Sequence, residues 1–297
     1  MPKSILVTGA NGQLGSELQQ LAPIHPELNF TFVTRTELDL SDSAAITTWF
    51  ADKHFDVIIN CAAYTAVDTA ETELELAYAI NANAVATLAT IAKVQHSSLI
   101  HISTDYVFTG QNYRPYLETD ATDPQGVYGA SKLAGEQALL TINPAKSVII
   151  RTAWVYSQFG NNFVKTMLRL GKEREELGVI YDQVGSPTSA RDLAGAILSI
   201  IQHPKLASLT GTEIYHYSNE GVCSWYDFAL AIFKSVPIRC KVKPIETKDY
   251  PTPAKRPHYS ILNKAKIKNT FELTIPYWRD GLPQCLEDIK YLNGDSL

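Results

Sequence analysis

Two residue patterns in this chain can carry chemistry. The first is Tyr128 followed by Lys132, a Y-x-x-x-K pair. Four residues apart on a helix, the two side chains share one face. A free phenol titrates near ~10, and an ammonium beside it favours the phenolate. Lys132 is therefore expected to lower the Tyr128 pKa toward neutral pH, and Tyr128 to hand a proton to an alkoxide forming from a ketone. Of 15 tyrosines, Tyr128 alone has lysine at +4. Ser103-Thr104 closes an apolar run about one strand–helix unit earlier. Ligands of open α/β sheets gather beyond such strand ends. Thr104, Tyr128 and Lys132 are the candidate catalytic set.

The second pattern is Thr8-Gly9-Ala10-Asn11-Gly12-Gln13-Leu14-Gly15, where a first strand should hand over to a first helix. Glycines at this turn allow a pyrophosphate to approach the backbone, and the helix N-terminus offers it free N–H groups. The spacing is G-x-x-G-x-x-G rather than G-x-G-x-x-G. A second apolar run leads to Arg35. An acid there would hold the ribose 2′-OH of NAD, whereas arginine accommodates a 2′-phosphate. The expected cofactor is therefore NADPH, with NADH possible. Asp39 and Leu40 follow as candidates for the adenine edge. Asn60-Cys61-Ala62-Ala63-Tyr64 ends a third strand with small residues, so Ala62, Ala63 and Tyr64 are expected to lie along the cofactor.

To bring these residues together the chain needs a parallel sheet. Apolar, β-branched runs at 4–10, 29–35, 56–62, 98–103 and 147–152 have the length of strands buried on both faces. Helical patterns lie between them at 13–21, 44–53, 74–93 and 131–141. This alternation predicts a Rossmann-type, doubly wound α/β sheet. Beyond Thr152, aromatics, asparagine and proline become frequent. Helical signal returns at 163–172, 191–202 and 225–233, and strand-like pieces at 179–183 and 214–218. The stretch 243–257 carries Pro244, Pro251, Pro253 and Pro257 and reads as an extended loop. The expected division is a cofactor domain of residues 1–154, with about 186–218 returning to it. A smaller substrate lobe comprises about 155–185 and 219–297.

Composition narrows the function classes. The 297 residues are 45% hydrophobic, enough for a sizeable core. Lys+Arg 26 against Asp+Glu 31 leaves a net charge of −5, unfavourable for non-specific nucleic-acid binding. Cys61, Cys223, Cys240 and Cys285 are scattered without a metal-ligand or disulfide pattern. The N-terminal apolar stretch is too short for a signal-peptide core, and no run reaches the ~18–20 apolar residues of a membrane span. The expectation is a cytoplasmic enzyme with no membrane or nucleic-acid partner and no metal.

With these motifs the chain resembles the extended short-chain dehydrogenases/reductases, and within them the dTDP-4-dehydrorhamnose reductases. The resemblance covers nearly the whole chain. Residues 8–15 (TGANGQLG) and 128–136 (YGASKLAGE) are shared by the wider superfamily. More specific are 62–68 (AAYTAVD), 103–110 (STDYVFTG), 151–156 (RTAWVY), 160–168 (GNNFVKTML), 182–188 (DQVGSPT) and 250–257 (YPTPAKRP). The resemblance implies reduction of a dTDP-sugar ketone, with Thr104 polarising the C4 carbonyl, Tyr128 donating the proton and Lys132 orienting the ribose. It implies Trp154 packing on the deoxysugar, and Val67, Asp68, Asp105 and Tyr106 lining its pocket. Arg256, with Lys255, becomes the diphosphate candidate, since a guanidinium fork matches phosphate oxygens. Asn162 becomes a nucleotide contact.

Rival readings are a 4,6-dehydratase or 4-epimerase, and a non-catalytic relative such as the methionine adenosyltransferase regulatory subunit. Dehydratases carry Thr-Asp-Glu where this chain has Thr104-Asp105-Tyr106, so the elimination base is missing. The complete Thr104, Tyr128 and Lys132 set argues against a non-catalytic role. Some relatives are dimers bridged by Mg²⁺ through glutamates. Glu17 matches one such position, but Arg191 stands where another acid is expected, so a monomer or weak homodimer without that metal is anticipated.

Overall fold

The structure is a computed structural model describing residues 2–293. In chain order, its first half comprises β1 (Lys3–Thr8), α1 (Gln13–Leu21), β2 (Leu28–Val33), α2 (Ser43–Trp49), β3 (Val57–Asn60), α3 (Val67–Ala70), α4 (Leu74–Tyr78), α5 (Ala84–Gln95), β4 (Ser98–Thr104), α6 (Val127–Ile142) and β5 (Ser147–Thr152). Then follow β6 (Val155–Tyr156), α7 (Phe163–Glu173), β7 (Glu176–Ile180), β8 (Val184–Gly185), β9 (Thr188–Ser189), α8 (Ala190–Gln202), α9 (Pro204–Ala207) and β10 (Thr212–His216). The remainder is β11 (Cys223–Ser224), α10 (Trp225–Lys234), β12 (Lys241–Ile245), α11 (Ala265–Phe271) and α12 (Leu282–Asn293).

Six strands form one parallel sheet in the order β10-β5-β4-β3-β1-β2. β1, β3 and β4 are apolar on both faces because helices cover both. Ile5 and Val7 pack with Leu14 and Leu18 of α1 and Leu193 and Ile197 of α8. Leu6 and Ile58 turn the other way, to Val85 and Leu88 of α5 and Leu139 of α6. The chain leaves β1 in one direction for β2 and in the other for β3. Between them opens the crevice in which doubly wound sheets bind ligands.

A third core lies beyond β5, where Tyr156, Val164 and Met167 meet Phe228, Ile232, Trp278 and Leu286. Ile267, Phe271 and Ile275 join instead the core under α8, so the chain returns to the sheet domain within 219–297.

Three sequence expectations change. The second strand stops at Val33, which leaves Arg35 on the following turn. The proline-rich stretch is not all loop, because β12 includes Pro244 and pairs with β7. A two-stranded sheet is all edge, where proline's missing donor is tolerated. Finally, Leu74–Gln95 has a mean hydropathy of 1.2 and is long and apolar enough to cross a membrane by length and composition. Here it is a core segment, with Ala84, Val85, Leu88, Ala89 and Ala92 buried in the sheet-face core.

Candidate active site

A cavity of about 880 Å³ opens over the carboxyl ends of β1, β3, β4 and β5. One end is built by the glycine turn. Gly9 has φ +67°, and a Cβ there would lie 2.8 Å from the Ala62 backbone. A Cβ on Gly15 would lie 2.3 Å from the Gly9 carbonyl oxygen. Glycine at both positions lets α1, β1 and the segment after β3 close on one another. The N-cap of α1 is Gly12, and no side chain caps that helix. Its first N–H groups therefore face the cavity without a side-chain acceptor, the arrangement that suits a pyrophosphate.

The opposite end is chemical. Tyr128 and Lys132 sit on the first turns of α6, whose leading Val127 N–H donates to the Glu71 carboxylate at 2.9 Å. The Tyr128 phenol lies in hydrogen-bonding contact with the Thr104 hydroxyl, and this contact acts to lower its pKa. Its ring meets Tyr106 edge-on, with centroids 5.4 Å apart. Thr104 Oγ1 also accepts from the Tyr106 N–H at 3.2 Å and donates to Asp105 Oδ1 at 3.0 Å.

Lys132 is 1% exposed, and its Nζ donates to the Ile102 carbonyl at 2.6 Å. It also lies 3.4 Å from His101 Nε2, and His101 is fixed in turn by Asn60 at 3.1 Å and Asn60 by Thr8 at 2.7 Å. Burial lowers the Lys132 pKa to about 8. The Tyr128 phenol is displaced the opposite way from the sequence expectation, up to about 12. Desolvation raises it, and the Lys132 head is spent on β4 rather than on the phenol. Tyr128 thus holds its proton firmly, which suits a group that must arrive protonated.

Asn81 was not singled out in the sequence. It lies in a π-helical turn, Ala79–Asn83, between α4 and α5. Its amide accepts from the Tyr64 N–H at 2.9 Å and donates to the Tyr64 carbonyl at 3.1 Å and to Ser131 at 3.0 Å. One side chain therefore ties the segment after β3 to the helix that carries Tyr128 and Lys132. Such π-turns recur at functional sites.

A family model described as RmlD substrate binding domain matches residues 3–291. The dTDP-4-dehydrorhamnose reductase of Escherichia coli K12 is 44% identical over 299 residues, covering 96% of this chain and 98% of its own. The chain belongs to the dTDP-4-dehydrorhamnose reductase family. The Aggregatibacter actinomycetemcomitans member is 42% identical, over 94% of this chain and 96% of its own. A crystal structure of the Bacillus anthracis reductase in complex with NADP superposes with a TM-score of 0.89 at 42% identity, covering 97% of this chain and 100% of that one.

Against this family background, the cavity gathers most of the residues singled out from the sequence. Gly9, Asn11, Gly12, Gln13, Leu14, Arg35, Asp39, Leu40, Ala62, Ala63 and Tyr64 border it. So do Val67, Thr104, Asp105, Tyr106, Tyr128, Lys132 and Trp154. Gly15 lies beneath the turn. Arg35 is exposed at the rim, with Nε 3.6 Å from Asp39 Oδ2. Trp154 has φ +50°, a strained backbone for a bulky residue, and stacks on Trp225 with ring centroids 3.5 Å apart. Trp225 lies 71 residues further along the chain, with no sequence pattern to mark it.

Other candidates do not reach the cavity. Asn162 is the N-cap of α7, accepting from the Lys165 N–H and donating to Gln13 Oε1 at 3.0 Å and the Ser157 carbonyl at 2.7 Å. Its neighbours Gly160 and Asn161 line the cavity instead. Arg256 does not present its fork to open space. It grips Asp68 through two bonds of 3.0 and 2.7 Å, and this pairing lowers the Asp68 pKa. The two pocket candidates satisfy each other, because a guanidinium matches a carboxylate as well as a phosphate. Lys255 Nζ donates to Gln125 at 3.3 Å.

Glu17, Arg191, Asp192 and Asp288 border a second cavity. Glu17 accepts from Ser157 at 2.6 Å, and burial raises its pKa. Arg191 Nη1 lies 3.8 Å from Asp288 Oδ2. A buried carboxyl whose ionised form is disfavoured and a guanidinium among the acids do not fit a divalent cation. Among the described residues, no group of three or more His, Cys, Asp or Glu side chains is placed to hold a metal ion.

Proposed function

We propose that this chain reduces the C4 ketone of dTDP-4-dehydro-L-rhamnose to dTDP-L-rhamnose. The observation that carries the reading is the meeting of Thr104, Tyr128 and Lys132 at one end of a cavity whose other end is an uncapped helix N-terminus. NADPH, the preferred cofactor with NADH as a possible substitute, supplies the hydride when bound. The uncapped turn at Gly9, Asn11, Gly12, Gln13 and Leu14 would hold its pyrophosphate, and Lys132 its ribose.

The rest of the chemistry belongs to the chain. Thr104 and Tyr128 lie side by side at this end, so the phenol hydrogen-bonds an oxygen placed there, and the Thr104 hydroxyl does so on turning from Asp105 Oδ1. Charge growing on that oxygen strengthens both bonds, which lowers the barrier selectively. Tyr128, with its proton retained by a pKa of about 12, gives it to the forming alkoxide, a far stronger base. Lys132 contributes positive charge below its pKa of about 8 and loses it above.

The stack of Trp154 on Trp225 offers a flat apolar wall for the deoxysugar. We assign residues 1–154 and about 186–218, with the segment around Ile267–Ile275 that shares their core, to the cofactor domain, and about 155–185 and the rest of 219–297 to the sugar lobe. We further propose a cytoplasmic enzyme, monomeric or weakly dimeric, that engages neither nucleic acid nor membrane. Consumption of NADPH on addition of dTDP-4-dehydro-L-rhamnose tests the reading.

Arg35 supplies a cofactor test. Its exposed guanidinium on the turn after β2 is placed to meet a 2′-phosphate. Arg35→Asp is expected to raise the KM for NADPH by roughly tenfold or more, about 1.4 kcal/mol of binding, while leaving NADH nearly unchanged. Equal effects on both cofactors would show that Arg35 does not read the phosphate.

A further inference from the structure

Asp105 is an ionisable group that the proton step above does not use. It follows β4 directly, on a single turn of 3-10 helix, Asp105–Val107. Its side chain is 3% exposed, yet the residue borders the cavity. Oδ1 accepts the Thr104 hydroxyl at 3.0 Å, while the buried Oδ2 has no hydrogen-bond partner. A buried carboxylate oxygen left without a donor is destabilising, and a proton on the group relieves it.

Burial favours that protonation and outweighs the Ser260, Thr104 and backbone hydrogen bonds that oppose it, and the other groups facing Asp105 carry no positive charge against it. Those are the phenols of Tyr106 and Tyr128, both pushed up in pKa; the Ser260 hydroxyl comes from the second lobe. The charged pair Asp68–Arg256 acts on the Tyr106 side. Thr104 thus touches both groups, bonded to Asp105 Oδ1 at 3.0 Å and in contact with the Tyr128 phenol.

We propose that Asp105 returns a proton to Tyr128 through the Thr104 hydroxyl after each reduction; this rests on the reductase reading above. The step balances. The Tyr128 O–H bond breaks as the substrate oxygen takes its proton, leaving a phenolate. The phenolate takes the Thr104 hydroxyl proton, and Thr104 takes the carboxyl proton of Asp105. Asp105 is left as a carboxylate and regains a proton from water when product leaves. One proton is consumed per hydride. Burial raises the Asp105 pKa to about 6 and that of Tyr128 to about 12, so the transfer runs from the stronger acid to the stronger base. The sign of the pH dependence follows. The supply is full below about 6 and is lost as pH rises through that value.

Asp105→Asn keeps an acceptor for Thr104 and removes the acid. At about pH 5.5 its steady-state kcat should fall roughly tenfold, below the ~10²–10⁴ of a full acid–base group because water can stand in. The first turnover should slow less than the steady state, since Tyr128 starts protonated, and the fall of kcat near pH 6 should vanish. Infrared spectra of the unliganded chain carrying ¹³C-labelled aspartate should show a protonated carboxyl that titrates near pH 6 and is absent from Asp105→Asn. That labelling reads Asp105 in the wild type even if the variant does not fold. No reductase activity in the wild type would overturn the function, while the infrared titration would still report on Asp105. An active wild type whose kcat and pH profile survive Asp105→Asn, or a wild-type Asp105 that stays ionised at pH 5, would overturn the proton return alone.

Discussion

Replacing Tyr128 with phenylalanine should lower kcat by at least ~100-fold, the lower range for loss of a general acid. The substitution keeps the ring, its edge-on contact with Tyr106 and the helix that carries it. It removes only the hydroxyl that bonds Thr104. Because the proton moves in the transition state, kcat and kcat/KM should fall together. A rise in KM at constant kcat would mean that Tyr128 binds the sugar without donating to it. Near-normal turnover would place the proton source elsewhere.

The second large effect concerns stability. Glu136 of α6 and Arg151 of β5 form an ion pair 1% and 3% exposed, with bonds of 2.9, 3.2 and 2.6 Å. Ser103 donates to the same carboxylate, so the pair also anchors the end of β4 beside Thr104. Glu136→Gln leaves a guanidinium buried without its counter-charge, which costs about 3–5 kcal/mol. The urea midpoint should drop with an unchanged slope. Glu136→Gln combined with Arg151→Met should recover much of the loss, since removing both charges removes the desolvation burden with them. A double variant no more stable than the single one would mean that packing, not the unpaired charge, sets the loss.

The legible parts of the molecule are those in which neighbours in sequence answer the same physical demand. The α1 boundaries, Gln13–Leu21, follow from glycine spacing and one apolar face. Strands β1, β3, β4 and β5 follow from apolar runs that only a doubly covered sheet can bury. Tyr128 and Lys132 are readable because four residues on a helix make one face.

What the sequence hid depends on partners far along the chain. Nothing local to Arg256 marks its fork as occupied, because the partner, Asp68, lies 188 residues away. Trp154 gave no sign of Trp225. The direction of the Tyr128 pKa shift is not legible, because spacing shows that Lys132 is near but not that its ammonium turns to the Ile102 carbonyl. α11 is only seven residues long, and α12 lies after the proline-rich stretch; what orders both is contact of Ile267 and Phe271, and of Leu282, Leu286 and Ile289, with cores assembled elsewhere.

The most direct measurement follows NADPH deuterated at its transferable position through reaction with dTDP-4-dehydro-L-rhamnose on the wild-type chain. The expected product is dTDP-L-rhamnose carrying one deuterium at C4, with one NADP⁺ formed per sugar reduced. NADPH oxidation no faster than without the sugar, or a product without deuterium at C4, would contradict the assignment.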